Sequence, residues 1–158
     1  MRLHKNLAIY LGVTWSLLFA VMSFYWAAGG MIGVESLGGE IYKKAMERDP
    51  AFISVVWVTG VVKLGGAILL LLLLKTSINK KIRKMLSLFC IVAGVFMILY
   101  GLGNFTTISL AGLNVLHFDM SAYAIKWRLI IWEPFWMIGG ILYVLAGRRG
   151  YQFIQNSF

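Results

Sequence analysis

Residues 52–74 read FISVVWVTGVVKLGGAILLLLLL, from Phe52 to Leu74, with Lys63 as the one charge. At about 1.5 Å of rise per residue, a helix of this length crosses the roughly 30 Å of bilayer hydrocarbon. Three further apolar runs have the same character: about Leu7 to Ala28, Met85 to Gly103 and Leu129 to Ala146. Together they account for a chain that is 60% hydrophobic and only 13% charged, a balance that a water-soluble domain of 158 residues could not carry without large exposed apolar patches. The expected fold is all-α: a polytopic membrane protein with four transmembrane helices in one bundle, forming a single domain over residues 1–158. The connections on one side, 29–51 and 104–128, are long, and the one on the other side, about Lys75 to Lys84, is short.

The net charge of +9 would suggest nucleic acid in a soluble protein. Here most of the cations flank apolar spans, where they set orientation and meet anionic lipid, and no basic soluble surface remains for nucleic acid. Nine of them (Arg2, Lys5, Lys75, Lys80, Lys81, Arg83, Lys84, Arg148, Arg149) fall on the side of the termini. Five (Lys43, Lys44, Arg48, Lys126, Arg128) fall on the other, so both termini are expected in the cytoplasm. All six acids, Glu35, Glu40, Glu47, Asp49, Asp119 and Glu133, map to the outer side or the outer part of a span. The first run follows the basic Met1–Lys5 stretch as a signal peptide would. Its apolar length exceeds the usual 7–15 residues or so of such a peptide, and Phe24-Tyr25-Trp26 reads as an interfacial anchor.

In the first outer connection, Ser36 to Arg48 reads as a short helix, either on the membrane surface or solvated. The second contains Ile108, Leu110, Leu113, Val115, Leu116 and Phe118, too apolar for an exposed loop. It is expected to pack on the bundle as a lid or a half-inserted segment.

Two ionisable residues inside spans are the functional leads. Lys63 lies roughly 17 Å down its helix on a face of Val56, Thr59, Gly60, Gly66 and Ala67, a small-residue stripe that turns it into the bundle. Glu133, between Trp132 and Pro134, lies only about 6 Å below the outer end of its span. A direct or water-bridged Lys63–Glu133 link, with Thr59 or Asn104 between them, competes with an Arg128–Glu133 pair. Either can be a structural ion pair that fixes helix register. Five of the six tryptophans, Trp26, Trp57, Trp127, Trp132 and Trp136, fall in the outer half, with Trp15 alone deeper. Tyr25, Tyr100, Phe105, Tyr123 and Phe135 join them. This is either a one-sided aromatic belt or an outward-facing aromatic cavity. The cavity would be built from Glu133, Lys63, Trp132, Trp136, Trp26, Tyr25, Trp57, Tyr100, Asn104 and Arg128, and would hold a flat apolar or cationic amphiphile.

The usual catalytic templates are missing from the sequence. His4 and His117 fall on opposite expected sides and His117 with Asp119 is a thin ligand set, so no metal and no cofactor is expected. Cys90 is single, which excludes an intrachain disulfide. Asn104-Phe105-Thr106 fits a glycosylation sequon that matters only in a eukaryotic secretory setting.

The strings Phe24-Tyr25-Trp26-Ala27-Ala28-Gly29-Gly30 and Trp132-Glu133-Pro134-Phe135-Trp136-Met137-Ile138-Gly139-Gly140 resemble the marks of a family of small bacterial four-helix integral membrane proteins catalogued as a domain of unknown function. The resemblance covers nearly the whole chain. It implies a four-helix fold in a bacterial plasma membrane and no agreed substrate. Members often carry a histidine shortly before the Tyr-Trp pair, where this chain has Ser23 and Phe24. The leading expectation is a non-enzymatic protein that binds a lipid or amphiphilic small molecule. A transporter working as a homo-oligomer around Glu133 is the alternative. Further alternatives are a lipid-modifying enzyme using Glu133 as acid/base, and an accessory subunit holding a membrane-protein partner through its small-residue faces.

Overall fold

The computed structural model describes residues 2–155, with side chains from Asn6 onward, so the side chains of Arg2, His4 and Lys5 lie outside the described residues. The described chain is helical, and its long helices are long and apolar enough to cross a membrane four times. Helix α1 spans Arg2–Ala27, α2 Gly39–Met46, α3 Pro50–Leu72, α4 Lys80–Gly112, α5 Ala122–Trp127 and α6 Glu133–Gln155. A 3-10 turn covers Glu35–Leu37, and a π-helical segment, Arg128–Trp132, joins α5 to α6.

Local chemistry sets the ends of these helices. Helix α1 stops at Gly29, whose φ of +109° is open to glycine, and the turn closes with Gly30 N–H on the Tyr25 carbonyl and Gly29 N–H on the Trp26 carbonyl. Arg48 then reaches across to donate to the Trp26 and Ala27 carbonyls, tying the end of α1 to the entry of α3. Asp49 caps α3 by accepting the Phe52 N–H at 2.6 Å, and Pro50 takes the first helical position, where no N–H is needed. Asn79 and Ser121 cap α4 and α5 in the same way. The helix expected over Ser36–Arg48 is divided: Gly38, at positive φ, separates the 3-10 turn from α2, which begins at Gly39.

Helix α4 does not end near Gly103. It is 33 residues long in all and runs on to Gly112, so the start of the segment expected to be an outer connection, Asn104 included, is helix. A glycine inside a helix costs only about 1 kcal/mol. The α4–α6 contact readily offsets that: the two backbones approach so closely that a Cβ added at Gly140 would lie 2.5 Å from the Gly94 carbonyl oxygen. Thr106 and Thr107 bond back to the Leu102 and Gly103 carbonyls and stay within the helix. At the other end, α5, the π segment and α6 form one continuous helical run from Ala122, which carries the fourth span well past Leu129.

The helices pack as two pairs, α1 along α3 and α4 along α6, joined through α1 and α6. At that junction the core holds Trp15, Phe19, Leu70, Cys90 and Tyr143. Ser16 and Tyr143 share a buried hydrogen bond of 2.8 Å. Helices α3 and α4 do not form a packed pair. Val58, Val62, Phe89, Phe96 and Leu99 point outward, a pattern suited to hydrocarbon as solvent.

Candidate functional site

The gap between the two pairs holds a cavity of about 300 Å³ in the half of the bundle away from the termini. Along α3, Phe52, Val56, Thr59 and Lys63 face it at the three- and four-residue spacing of one helix side. Phe19, Ser23 and Trp26 face it from α1 at the same spacing. Tyr100 of α4 stands at its edge, and Arg128, Trp132, Glu133 and Trp136 close the remaining wall. Val34, Leu37, Ile41 and Ala45 of the first connection turn inward over the top.

The cover of the cavity is therefore the first connection; of the segment 104–128, expected to pack on the bundle as a lid or a half-inserted segment, Ile108 and Ala111 are buried and Arg128 alone lines the cavity. In that second segment Leu113, Val115, Leu116 and Phe118 are exposed, while Ala124 of α5 is buried beside Gly38. Two indoles latch the cover. Trp132 Nε1 donates to Ser36 Oγ at 2.8 Å and Trp26 Nε1 to the Ile32 carbonyl at 2.9 Å, with the two rings 5.4 Å apart.

Glu133 is 1% exposed. Its Oε1 accepts from Arg128 Nε at 2.8 Å and Nη2 at 2.5 Å. Five residues along an ordinary α-helix leave two side chains about 140° apart. The intervening π segment, with its wider i→i+5 turn, brings Arg128 and Glu133 onto one face. Pro134 gives a reason for the wide turn, since it has no N–H to offer the Ile130 carbonyl and its ring crowds an α-helical turn before it.

Among the described residues Lys63 and Glu133 form no direct ion pair. Lys63 Nζ instead donates to Ser23 Oγ at 2.7 Å and lies 3.8 Å from the centroid of the Phe19 ring, with the Trp136 ring at 5.8 Å. Arg128 sits beside Glu133 on the same helical run and satisfies it first. Arg128–Glu133 is the only salt bridge among the described residues.

Of the ten residues expected at the site, Glu133, Lys63, Trp132, Trp136, Trp26, Tyr100 and Arg128 line the cavity, and Tyr25, Trp57 and Asn104 do not. Tyr25 and Trp57 are each one residue, or about 100° of helix, away from the inward positions Trp26 and Val56. Tyr25 folds over Gly30 instead, and Trp57 is exposed beside Phe24. Asn104 lies in α4 with a buried amide nitrogen that has no hydrogen-bond partner among the described residues. Ser23 and Phe19 were absent from the expected set. Their signal was present, since residues 19, 23 and 26 share one face of α1 with a hydroxyl and two rings.

No curated protein and no solved structure matches the chain. Residues 16–143, which hold every cavity-lining residue, match the model of a family described as "Protein of unknown function (DUF3995)", and the chain belongs to that family.

Proposed function

We propose that this membrane protein binds a lipid-like amphiphilic small molecule in the covered cavity, and that the molecule enters sideways between α3 and α4. The observation that carries the reading is the makeup of the cavity: ring faces and aliphatic side chains surround a small group of charges, in a bundle whose outer surface is built for lipid. At the gap, Val55 and Tyr100 both line the cavity and are exposed at the bundle surface, 58% and 46% respectively, so its side wall is open where hydrocarbon would lie. The first connection, held by its two indole latches, lies over the end of the cavity, which supports a lateral route.

The cation balance supports an orientation with the termini in the cytoplasm of a bacterial cell and the cavity in the outer leaflet. The test is native mass spectrometry of the detergent-purified protein and of Val56→Trp, which fills the cavity from α3. A bound amphiphile on the wild type that is missing from a folded Val56→Trp variant is the expected result. Identical lipid profiles for the two proteins would overturn the reading.

A further inference from the structure

The charges inside the cavity are unequal. Glu133 is already matched by Arg128 through two hydrogen bonds. Lys63 has no carboxylate within ion-pair distance among the described residues. Its ammonium carries three protons. One goes to Ser23, and the ring faces of Phe19 and Trp136 supply only partial compensation. Lys63 is also thirteen residues beyond Pro50, about 20 Å along α3 and well inside a membrane-spanning helix. A cation held at such depth without a counter-ion is costly and marks a place where an anion is favoured. The cationic amphiphile considered from sequence is thus disfavoured, because the cavity carries a net positive charge.

Donor geometry narrows the anion. Ser23 gives its own proton to the Phe19 carbonyl and Thr59 gives its proton to the Val56 carbonyl. The Trp26 and Trp132 N–H groups are used by the cover. The Lys63 ammonium itself keeps two protons, a match for the two oxygens of one carboxylate, with the Trp136 indole close by. A phospholipid head would bring a phosphate, glycerol and ester oxygens together into about 300 Å³ of mostly apolar space, a larger polar burial than one carboxylate asks for.

We propose that the cavity takes a long-chain fatty acid, with its carboxylate on Lys63 Nζ and its chain leaving past Val55 and Tyr100 between α3 and α4. This assignment rests on the amphiphile-binding reading above and specifies its ligand class.

Tryptophan fluorescence provides the test, because Trp26, Trp132 and Trp136 line the cavity. The wild-type protein in phosphatidylcholine nanodiscs is titrated with a dibrominated octadecanoic acid and, separately, with the corresponding dibrominated alcohol. The acid is expected to quench saturably with an apparent affinity at least about tenfold stronger than the alcohol, equivalent to about 1.4 kcal/mol. Lys63→Met should bring the two within about twofold, and Lys63→Arg should keep the preference for acid. Equal affinities for acid and alcohol in the wild type would overturn the carboxylate assignment and leave the amphiphile cavity standing. No saturable quenching by either would overturn both. A preference that survives in Lys63→Met would remove Lys63 from the site. Should Lys63→Met not fold, the wild-type comparison and Lys63→Arg still decide.

Discussion

Ser23 accepts a hydrogen bond from the Lys63 ammonium at 2.7 Å and passes its own proton to the Phe19 carbonyl at 3.0 Å. The arrangement has a direction: the backbone carbonyl fixes the hydroxyl proton, which turns a lone pair toward Lys63. Both residues lie on helices that pack together, so the pair also ties α1 to α3 inside the membrane.

Removing that acceptor should destabilise the bundle through Lys63. Hydrogen bonds to charged groups contribute about 1.5–3 kcal/mol, so Ser23→Ala is expected to lose stability in that range. In a Lys63→Met background the same substitution should cost less than about 0.5 kcal/mol, the size of error expected for independent sites. Thermal unfolding in detergent of the two single variants and the double variant supplies the cycle. Equal costs in both backgrounds would show that the pair is not coupled.

Arg128 and Glu133 differ from that pair because both partners are charged and Glu133 is almost wholly enclosed. Arg128→Met would strand a buried carboxylate and should cost about 3–5 kcal/mol. Adding Glu133→Leu to Arg128→Met should recover most of the loss, since the penalty lies in the unpaired charge and not in the missing pair. A double variant that remains as unstable as Arg128→Met would mean that the pair is needed for the π segment itself, and the circular dichroism of the two variants would reveal the lost helix.

The architecture was legible because hydrocarbon length and apolarity are linear properties of the chain, and the runs at 7–28, 52–74, 85–103 and 129–146 carry them. Lys63 and Glu133 stood out for the same reason. For Glu133 the sequence left two partners open, Arg128 and Lys63, and for Lys63 it missed Ser23, because partner choice depends on helix rotation and axial offset. Arg128 pairs with Glu133 only through a wide helical turn, and a reading at 3.6 residues per turn places the two apart. The third apolar run marks a membrane crossing and not a helix end: Gly101 packs against Met137 and Trp136 of α6, and the helix continues beyond the run to Gly112. The cover went to the first connection and not to the more apolar second one. Exposed apolar residues such as Leu113 and Phe118 face outward near a bilayer boundary, so hydrophobicity there carries no message about burial.

The latch between Trp132 and Ser36 should control how often the cover opens. Trp132→Phe keeps a ring in the cavity wall and deletes the N–H donor, leaving a stability loss of about 0.5–1.5 kcal/mol. Because the bond joins the cover to the start of α6, the loss should appear as faster amide hydrogen exchange over residues 31–46, with α3 and α4 unaffected. Uniformly faster exchange along the chain would instead assign Trp132 to global packing.

Arg83 makes the most specific prediction at the end of the bundle that carries the termini. Its place in the sequence, among Lys80, Lys81 and Lys84, suggests one more surface cation, yet it is 3% exposed. Its guanidinium donates to the Leu73 carbonyl at 2.8 Å and also to the Lys75 carbonyl, and it stacks 4.3 Å from the centre of the Phe153 ring. Those two carbonyls lie just beyond the last turn of α3, where no helical N–H remains to satisfy them. One planar fork therefore ends α3, fixes the turn into α4 and bears on α6. A lysine ammonium cannot reproduce two fixed donor directions and a flat stacking face together. Arg83→Lys is expected to keep the charge and still lose about 1–3 kcal/mol, the penalty for a buried acceptor left unsatisfied. Arg83→Met should lose at least as much. Limited proteolysis should then cut within residues 73–79 faster in both variants. If Arg83→Lys were as stable and as resistant to cleavage as the wild type, charge alone would be the requirement and the forked cap would have no role.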